Sequence, residues 1–193
     1  MKRLFPLGIL LLVAATLAGC AHPITMNADL AKLEATAEAP IAKSVGYYLP
    51  DALRAVEVTT PGGGGDKVRY FPYRDLEPGF YKALSLAFTS VTKLAQPMEA
   101  GPKGVQLVIT PEIRTTSASD GAFTWPPTEF TVTLTCAVHD PAGKPVKTLS
   151  VTGDGRATFS EFKSNFSLAA VRASDDALAK LVKALRSDPD LRR

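Results

Sequence analysis

Two segments of this chain alternate apolar and polar residues with a period of two. From Phe130 to Val138 every even position is apolar and the odd positions hold threonine or alanine, and the segment 105–114 follows a similar pattern. Such alternation is typical of strands with one buried and one polar face, as antiparallel sheets have. Pro111 lacks an N–H group and predicts an edge position or a bulge. The polar face is rich in threonine, and we expect it to contact water or a partner.

Shorter runs of β-branched and aromatic residues predict further strands. These runs are 45–49, 54–60, 67–71, 91–94 and 146–152. Four glycines at 62–65 separate the second run from the third, so we expect a hairpin there. The glycines do not form a phosphate-binding loop, because Asp66 follows them and the Gly-Lys-Ser/Thr sequence of such loops is absent. The Gly-Asp-Gly sequence at 153–155 predicts a bulge or bend.

Two segments place apolar residues at helical spacing. The first begins at Asp75, a residue type that favours the N-cap, and has Pro78 in its first turn. The second covers 167–186 and pairs Asp176 with Lys180 at i, i+4. Both helices can bury their apolar faces on the apolar face of one sheet. We therefore predict an α+β fold, a two-layer sandwich of a mostly antiparallel sheet with two amphipathic helices on one face.

The charge and the cysteines exclude several classes of protein. Lys2 and Arg3 contribute two units of the net charge of +3, and the other basic residues do not form the cluster that nucleic-acid binding needs. We therefore expect no nucleic-acid partner. The chain contains two cysteines, Cys20 and Cys136. Cys136 belongs to the apolar row of its strand, which favours a buried and unreactive thiol.

Residues suited to catalysis or metal binding are few. The chain has two histidines, His22 and His139. Cys136 and His139 are three residues apart on a predicted strand, so their side chains point to opposite faces and cannot bind one metal ion. Glu112 and Glu129 are candidates for the carboxylate pair of a glycosidase, but we expect both to be solvated strand residues. We predict no catalytic residues, no metal site and no cofactor, and therefore no enzyme.

A long connection at 117–127 joins the two alternating segments and contains the only tryptophan. Tryptophan is enriched at protein interfaces, and a proline pair stiffens this loop. Four residues of the loop are therefore predicted to bind a partner: Phe123, Trp125, Pro126 and Pro127. In the alternative interpretation, Phe123 and Trp125 fold back and cover one end of the core.

The N-terminus combines Lys2 and Arg3 with an apolar run, Leu4–Leu17, which is typical of a secretory signal peptide. The run has about 14 residues, whereas a helix that spans a bilayer needs about 20. The sequence Leu17-Ala-Gly-Cys20 closes the run and resembles the lipobox of bacterial lipoproteins. This resemblance implies export, cleavage before Cys20 and attachment of acyl chains, palmitate among them, to Cys20. The alternatives are a signal peptide cut at 14–16 and an N-terminal membrane anchor.

The resemblance and the composition together divide the chain into three parts. Residues 1–19 are the signal peptide, 20–43 a lipid-anchored tether, and 44–193 a single α+β domain. The tether is rich in alanine, proline, lysine and glutamate, and we expect a short helix at 28–37 that either stays free or docks on the domain. Ala21 follows the acylated cysteine. By analogy with enterobacterial sorting, this favours the outer membrane, with the domain facing the periplasm.

The expected function follows from location more than from chemistry. The order of tether, strands, helix, strands and helix is similar to the layout of small accessory lipoproteins of Gram-negative envelopes. We therefore expect a non-enzymatic accessory or scaffold module that is held at the membrane by the lipid on Cys20 and docks on another envelope protein. A periplasmic binding module for a small or lipidic ligand is the alternative. A hydrolase of peptidoglycan or lipid is a third hypothesis.

Overall fold

The computed structural model of the chain describes residues 21–34, 39–120, 126–162 and 164–193. Its strands are β1 (Ala21–Pro23), β2 (Ile41–Tyr48), β3 (Val58–Pro61), β4 (Lys67–Tyr70), β5 (Phe88–Leu94), β6 (Leu107–Ala118), β7 (Glu129–His139) and β8 (Pro145–Arg156). Its helices are α1 (Asp51–Arg54), α2 (Pro72–Ala87), α3 (Phe159–Phe162), α4 (Leu168–Ser187) and α5 (Pro189–Arg192), with a 3-10 turn at Pro97–Glu99. No helix in these ranges is long and apolar enough to cross a bilayer.

The described strands form two mixed sheets. The larger sheet has the order β5-β2-β6-β7-β8, and the smaller has the order β1-β4-β3. The long strands β6, β7 and β8 pair antiparallel, whereas β2 is parallel to both of its neighbours and β1 is parallel to β4. The predicted α+β class is confirmed. The antiparallel pairing expected from the alternating segments is found where those segments lie, and the parallel pairs come from strands on the far side of long connections.

Helices α2 and α4 contact each other and pack on the same face of the larger sheet. Apolar side chains of both helices and of that face form one core, in which Phe80, Leu84, Phe130, Leu178 and Leu181 are buried. The two predicted helices and their common sheet face are therefore confirmed. The ion pair predicted within the second helix is present, because Lys180 Nζ lies 2.7 Å from Asp176 Oδ2.

Pro111 lies at a local edge of the sheet, which was one of the two positions predicted for it. Strand β6 pairs with β2 only from Leu107 to Ile109. Pro111 lies beyond that pairing and faces Cys136 of β7. On the side of β2, therefore, no ladder partner needs the N–H group that proline lacks.

The bulge, one of the two features predicted at 153–155, is wrong. Strand β8 stays in register with β7 through Gly153 and Gly155 to Arg156, and the register shift of this pair falls between Val138 and His139. The two glycines instead lie against the backbone of α4. Close approach of another backbone is the other common reason for glycine in a strand.

The structure also differs from the predicted tether. β1 pairs with β4 from Ala21 to Pro23, and Ile24, Met26 and Leu33 are buried in the core. Residues 28–34 form no helix, although a turn occupies 30–32, and 35–38 lie outside the described residues. Residues 21–33, which precede the predicted domain start at residue 44, are therefore part of the packed fold, because three apolar side chains of this polar segment lie in the core.

Two local predictions around the first helix also need correction. Arg54 ends α1 and β3 begins at Val58, so the strand expected over 54–60 is shorter. Asp75 is not the N-cap, since α2 begins at Pro72 and Phe71 precedes it. The Asp75 side chain is buried, and its Oδ2 accepts a hydrogen bond from the Met26 N–H at 3.2 Å. It holds the N-terminal segment rather than the helix start.

Candidate functional site

The predicted site residues divide between described and undescribed parts of the chain. The signal segment 1–19, Cys20, Phe123 and Trp125 lie outside the described residues. Pro126 and Pro127 are described and are buried, so these two prolines do not present their side chains at the surface. The structure describes the surroundings of the predicted lipidation site and of the predicted partner-binding loop. Ala21 directly follows Cys20, and residues 117–120 and 126–128 flank the loop.

Strand β1 joins the residue after Cys20 directly to the domain. Ala21 pairs with Lys67 at the start of β4. His22 Nε2 lies 3.3 Å from Asp66 Oδ2 in the β3–β4 turn. His22, placed in a tether by the sequence, is thus a strand residue, and Ala21 and His22 lie beside the tip of the β3–β4 hairpin.

The β3–β4 hairpin in turn contacts the end of β6 where the aromatic loop begins. The Ser117 hydroxyl donates to the Pro61 carbonyl oxygen and lies 2.6 Å from Thr60 Oγ1. Tyr70 OH lies 2.6 Å from Thr115 Oγ1, and its ring stacks edge-on against Phe130 at 5.3 Å. Strand β1 and the start of the loop therefore belong to the same end of the described domain.

The residues that follow the loop contact the segment just before α3 at this end. Thr128 Oγ1 accepts from the Asp120 N–H at 3.0 Å, and the Thr128 carbonyl accepts from the Ala157 N–H at 2.9 Å. The Thr25 N–H donates to Ser167 Oγ at 3.0 Å, which brings the N-terminal segment beside the turn before α4. We call β1, the turn 61–66 and residues 117–120, 126–128, 156–162 and 164–167 the anchor-proximal end, because β1 begins directly after Cys20, the predicted site of the lipid anchor.

The anchor-proximal end exposes two aromatic side chains that the sequence analysis did not single out. Phe159 is 57% exposed and Phe166 is 48% exposed. Phe159 also stacks edge-on against the buried Phe162 at 5.3 Å. Beside them an open depression of about 430 Å³ is lined by Asp120, Thr128, Glu129, Arg156, Ala157, Thr158, Phe159 and Phe162. The sequence did contain a sign of this exposed aromatic group, because Phe159, Phe162 and Phe166 fall within eight residues and outside the apolar stripe of α4.

Two glutamates at or beside this end form ion pairs with arginines. Arg172 donates to Glu161 Oε1 at 2.8 Å, and the Thr158 N–H and hydroxyl donate to Oε2 at 2.9 and 2.8 Å. These hydrogen bonds, the one from Arg172 foremost, lower the pKa of Glu161 to about 2. Arg156 lies 3.0 Å from Glu129. Glu161 and Glu129 are thus each compensated by an arginine, and exposed aromatic rings lie close to them.

The residues considered for catalysis do not converge. Cys136 is fully buried on the helix-covered face of the sheet, and burial raises the pKa of its thiol to about 12. His139 lies at the end of β7 and is half-buried. Glu112 pairs with Arg114 at 2.8 Å and Glu129 with Arg156 at 3.0 Å. Within the described ranges, no three histidine, cysteine or acidic residues are placed to hold a metal ion.

A polar cluster that the sequence analysis missed lies at the ends of the parallel strands. Glu77 of α2 accepts from Lys93 Nζ at 2.6 Å and from Tyr47 OH at 3.2 Å, and its Oε2 lies 2.9 Å from Arg54 Nε. Burial and the neighbouring carboxylate raise the pKa of Tyr47. Two cations and one phenol satisfy a single carboxylate, so the cluster joins α1, α2, β2 and β5 rather than offering a free reactive group.

The space between the helices and the sheet is filled. The cavity that Leu49, Phe80, Leu134 and Leu178 help to line has a volume of about 10 Å³. Ligand pockets have volumes of about 300–1,000 Å³. This part of the described core therefore has no room for the small or lipidic ligand of the alternative hypothesis.

No family model and no curated protein sequence matches this chain. Among solved structures, it is similar to protein XCC0632 of Xanthomonas campestris, described with the family model DUF330, at 11% identity and a TM-score of 0.46, covering 86% of this chain and 90% of that one. It is also similar to a PelC dodecamer from Paraburkholderia phytofirmans, at 18% identity and a TM-score of 0.46, with 79% and 96% covered. A minor lipoprotein from Acinetobacter baumannii is similar at 13% identity and a TM-score of 0.42, with 76% and 94% covered.

Proposed function

We propose that this protein is a lipid-anchored lipoprotein of the bacterial envelope and that its domain is a non-enzymatic module that docks on another envelope protein. The sequence Leu17-Ala-Gly-Cys20 carries the proposal. Ala21 after the acylated cysteine favours the outer membrane, with the domain in the periplasm. Stable anchoring takes more than one acyl chain, and a lipoprotein cysteine carries more than one.

The described surface supports docking more than catalysis or ligand binding. The core beneath the helices is filled, and the acidic side chains considered for catalysis are paired with arginines. The outer face of β7 and β8 is an ordered row of hydroxyls, in which Thr133 Oγ1 lies 3.1 Å from Thr152 Oγ1 and Thr135 Oγ1 lies 3.0 Å from Ser150 Oγ. We place the docking contact on the aromatic loop at Phe123 and Trp125, beside the anchor-proximal end, where a partner in the membrane is within reach.

Acylation is tested on the protein made in its own envelope. We expect mass spectrometry of the purified chain to find an N-terminal acylated Cys20, labelling with palmitate to occur, and the protein to fractionate with outer membranes. The variant Cys20→Ala should lose the label and leave the membrane fraction. An unmodified Cys20, or a label that survives the substitution, contradicts the proposal.

Docking is tested by crosslinking in intact cells followed by capture of the protein. We expect one defined envelope protein to be captured by the parent chain and to be lost with Trp125→Ala. The matched control is Met98→Ala, because Met98 is 75% exposed and lies in the 3-10 turn away from the anchor-proximal end. Equal capture by all three chains would remove the loop as the docking site.

A further inference from the structure

We infer that the domain rests directly on the bilayer, with the anchor-proximal end against the lipid headgroups and Phe159 and Phe166 in contact with them. This inference rests on the acylation of Cys20 proposed above. It adds a second contact with the membrane, made by the folded domain itself, and it fixes which end of the domain faces the lipid.

The first argument is that no linker residues separate the acylated Cys20 from Ala21, which is already part of the folded domain. Consecutive Cα atoms are about 3.8 Å apart, so an acylated Cys20 lies next to Ala21, which is already paired with Lys67 in the smaller sheet. A free tether from 20 to 43 would instead allow a separation of up to about 80 Å. Ile24 and Met26 are buried directly after β1, so the strand cannot pull away without exposing the core.

The second argument is the chemistry of the surface that this attachment brings to the lipid. Phe159 and Phe166 are exposed and lie in the segment that precedes Ser167. Ser167 Oγ accepts a hydrogen bond from the N–H of Thr25, which lies two residues after β1. Aromatic side chains are favoured at the level of the headgroups, and apolar groups on one face strengthen interfacial binding. Two acidic groups beside them, Glu129 and Glu161, are paired with arginines, which weakens the repulsion of these two carboxylates from an anionic lipid surface.

The length of β8 provides a control position at the other end of the domain. Arg156 ends β8 at the anchor-proximal end, and Val146 lies near its other terminus. Ten residues at about 3.3 Å each separate these two positions by about 33 Å. Val146 is 41% exposed, so it provides a comparably exposed apolar position far from the proposed lipid contact.

The test uses the acylated full-length protein in vesicles of phosphatidylethanolamine and phosphatidylglycerol whose acyl chains are brominated next to the headgroups. In a Trp125→Phe background, one tryptophan is introduced as Phe159→Trp, as Phe166→Trp or as Val146→Trp. We expect bromine to quench the fluorescence at 159 and 166 at least threefold more than at 146. Two independent reporters guard against one variant that fails to fold.

A linker variant separates attachment from contact. Insertion of about twelve Gly/Ser residues between Cys20 and Ala21 leaves acylation intact and gives the domain freedom to move away. We expect quenching at position 159 to fall by half or more in this variant.

Each result decides between the two proposals. If Cys20 is not acylated, the proposed function fails before quenching is measured. If the protein is acylated and bound to vesicles but 159 and 166 are quenched no more than 146, the domain stands off the bilayer and only this inference is overturned. The inference would also be overturned if the tryptophans at 159 and 166 were shielded from water in native membranes but not in pure lipid vesicles, because their contact would then be with a protein.

Discussion

A Cβ added to Gly153 would lie 2.2 Å from the backbone nitrogen of Ala177. One added to Gly155 would lie 2.0 Å from the carbonyl oxygen of Ala169. Strand β8 and helix α4 therefore pack backbone against backbone, with glycine on the strand and alanine on the helix. The atoms nearest to both added Cβ positions belong to the helix backbone, which cannot move aside as the end of a flexible side chain could.

We expect Gly153→Ala to destabilise the domain by about 3 kcal/mol or to prevent folding, because the added methyl group would force the helix away from the sheet. The unfolding midpoint in urea measures the effect. Gly101→Ala is the matched control, since nothing lies within 4 Å of a Cβ at that position. It should change stability by no more than about 0.5 kcal/mol. Equal behaviour of the two variants would show that α4 is not held this close to β8.

Asp75 joins the N-terminal segment to α2. Its Oδ2 accepts from the Met26 N–H at 3.2 Å, and the side chain is 4% exposed. We expect Asp75→Ala to cost about 1–3 kcal/mol, because it leaves a buried N–H group without a partner. Amide exchange should quicken most at residues 21–33. Asp51→Ala, at a side chain 93% exposed, is the control, and exchange that rises evenly over the whole domain would argue against a local role.

Glu161 makes the free energy of unfolding of the domain depend on pH in the acid range. Hydrogen bonds from Arg172 and Thr158 lower its pKa to about 2, below the value of about 4.3 for an unfolded chain. The stabilisation is therefore complete above about pH 4.3 and is lost as the pH falls through about 2. We expect Glu161→Gln to lower the thermal midpoint at pH 7, and the difference from the parent to vanish near pH 2.

Arg172 provides the internal control for this pH effect. Arg172→Met removes the principal partner of Glu161, so it should flatten the acid dependence in the same way. The double variant should then add little to either single variant, because both act through one interaction. A difference between parent and Glu161→Gln that persists unchanged to pH 2 would contradict the assignment.

The outer edge of β8 is covered by side chains of α4. Asp176 Oδ2 accepts from the Asp154 N–H at 2.9 Å, Lys180 Nζ donates to the Thr152 carbonyl at 2.8 Å, and Arg172 donates to the Arg156 carbonyl at 2.7 Å. Exposed strand edges promote pairing with other chains. We expect the double variant Asp176→Ala, Lys180→Ala to form dimers or larger species in light scattering. Lys183→Ala, on the exposed side of the same helix, should stay like the parent.

The elements that repeat a pattern along the chain could be predicted from the sequence. Helix α4 and strand β7 each bury one face, so their apolar residues recur with periods of 3.6 and 2 whatever they pack against. The α+β class followed, because two such helices and a one-faced sheet have few ways to bury their apolar sides. Asp176 and Lys180 are close within one helix, and their ion pair was predictable for the same local reason.

The candidate site was less predictable because it is made of distant parts. Phe159 and Phe166 lie outside any periodic stripe, and the contact between Thr25 and Ser167, which brings the N-terminal segment to this part of the chain, spans 142 positions. Glu77 offers no sign in the sequence that Arg54, Tyr47 and Lys93 surround it. Pro126 and Pro127 were expected at a surface, but burial depends on what packs over a loop and not on its composition.

The sequence by itself was enough to predict the lipobox at Leu17–Cys20 and the main helices and strands, because each of these predictions depends on residues close together in the chain. Only the tertiary structure decided that Ala21 begins a strand rather than a tether, and that Gly153 and Gly155 serve close packing rather than a bulge. The reason is the same in both cases. Parallel pairing of three residues with β4, and contact of two backbones, depend on atoms that come together only when distant segments of the chain fold against each other.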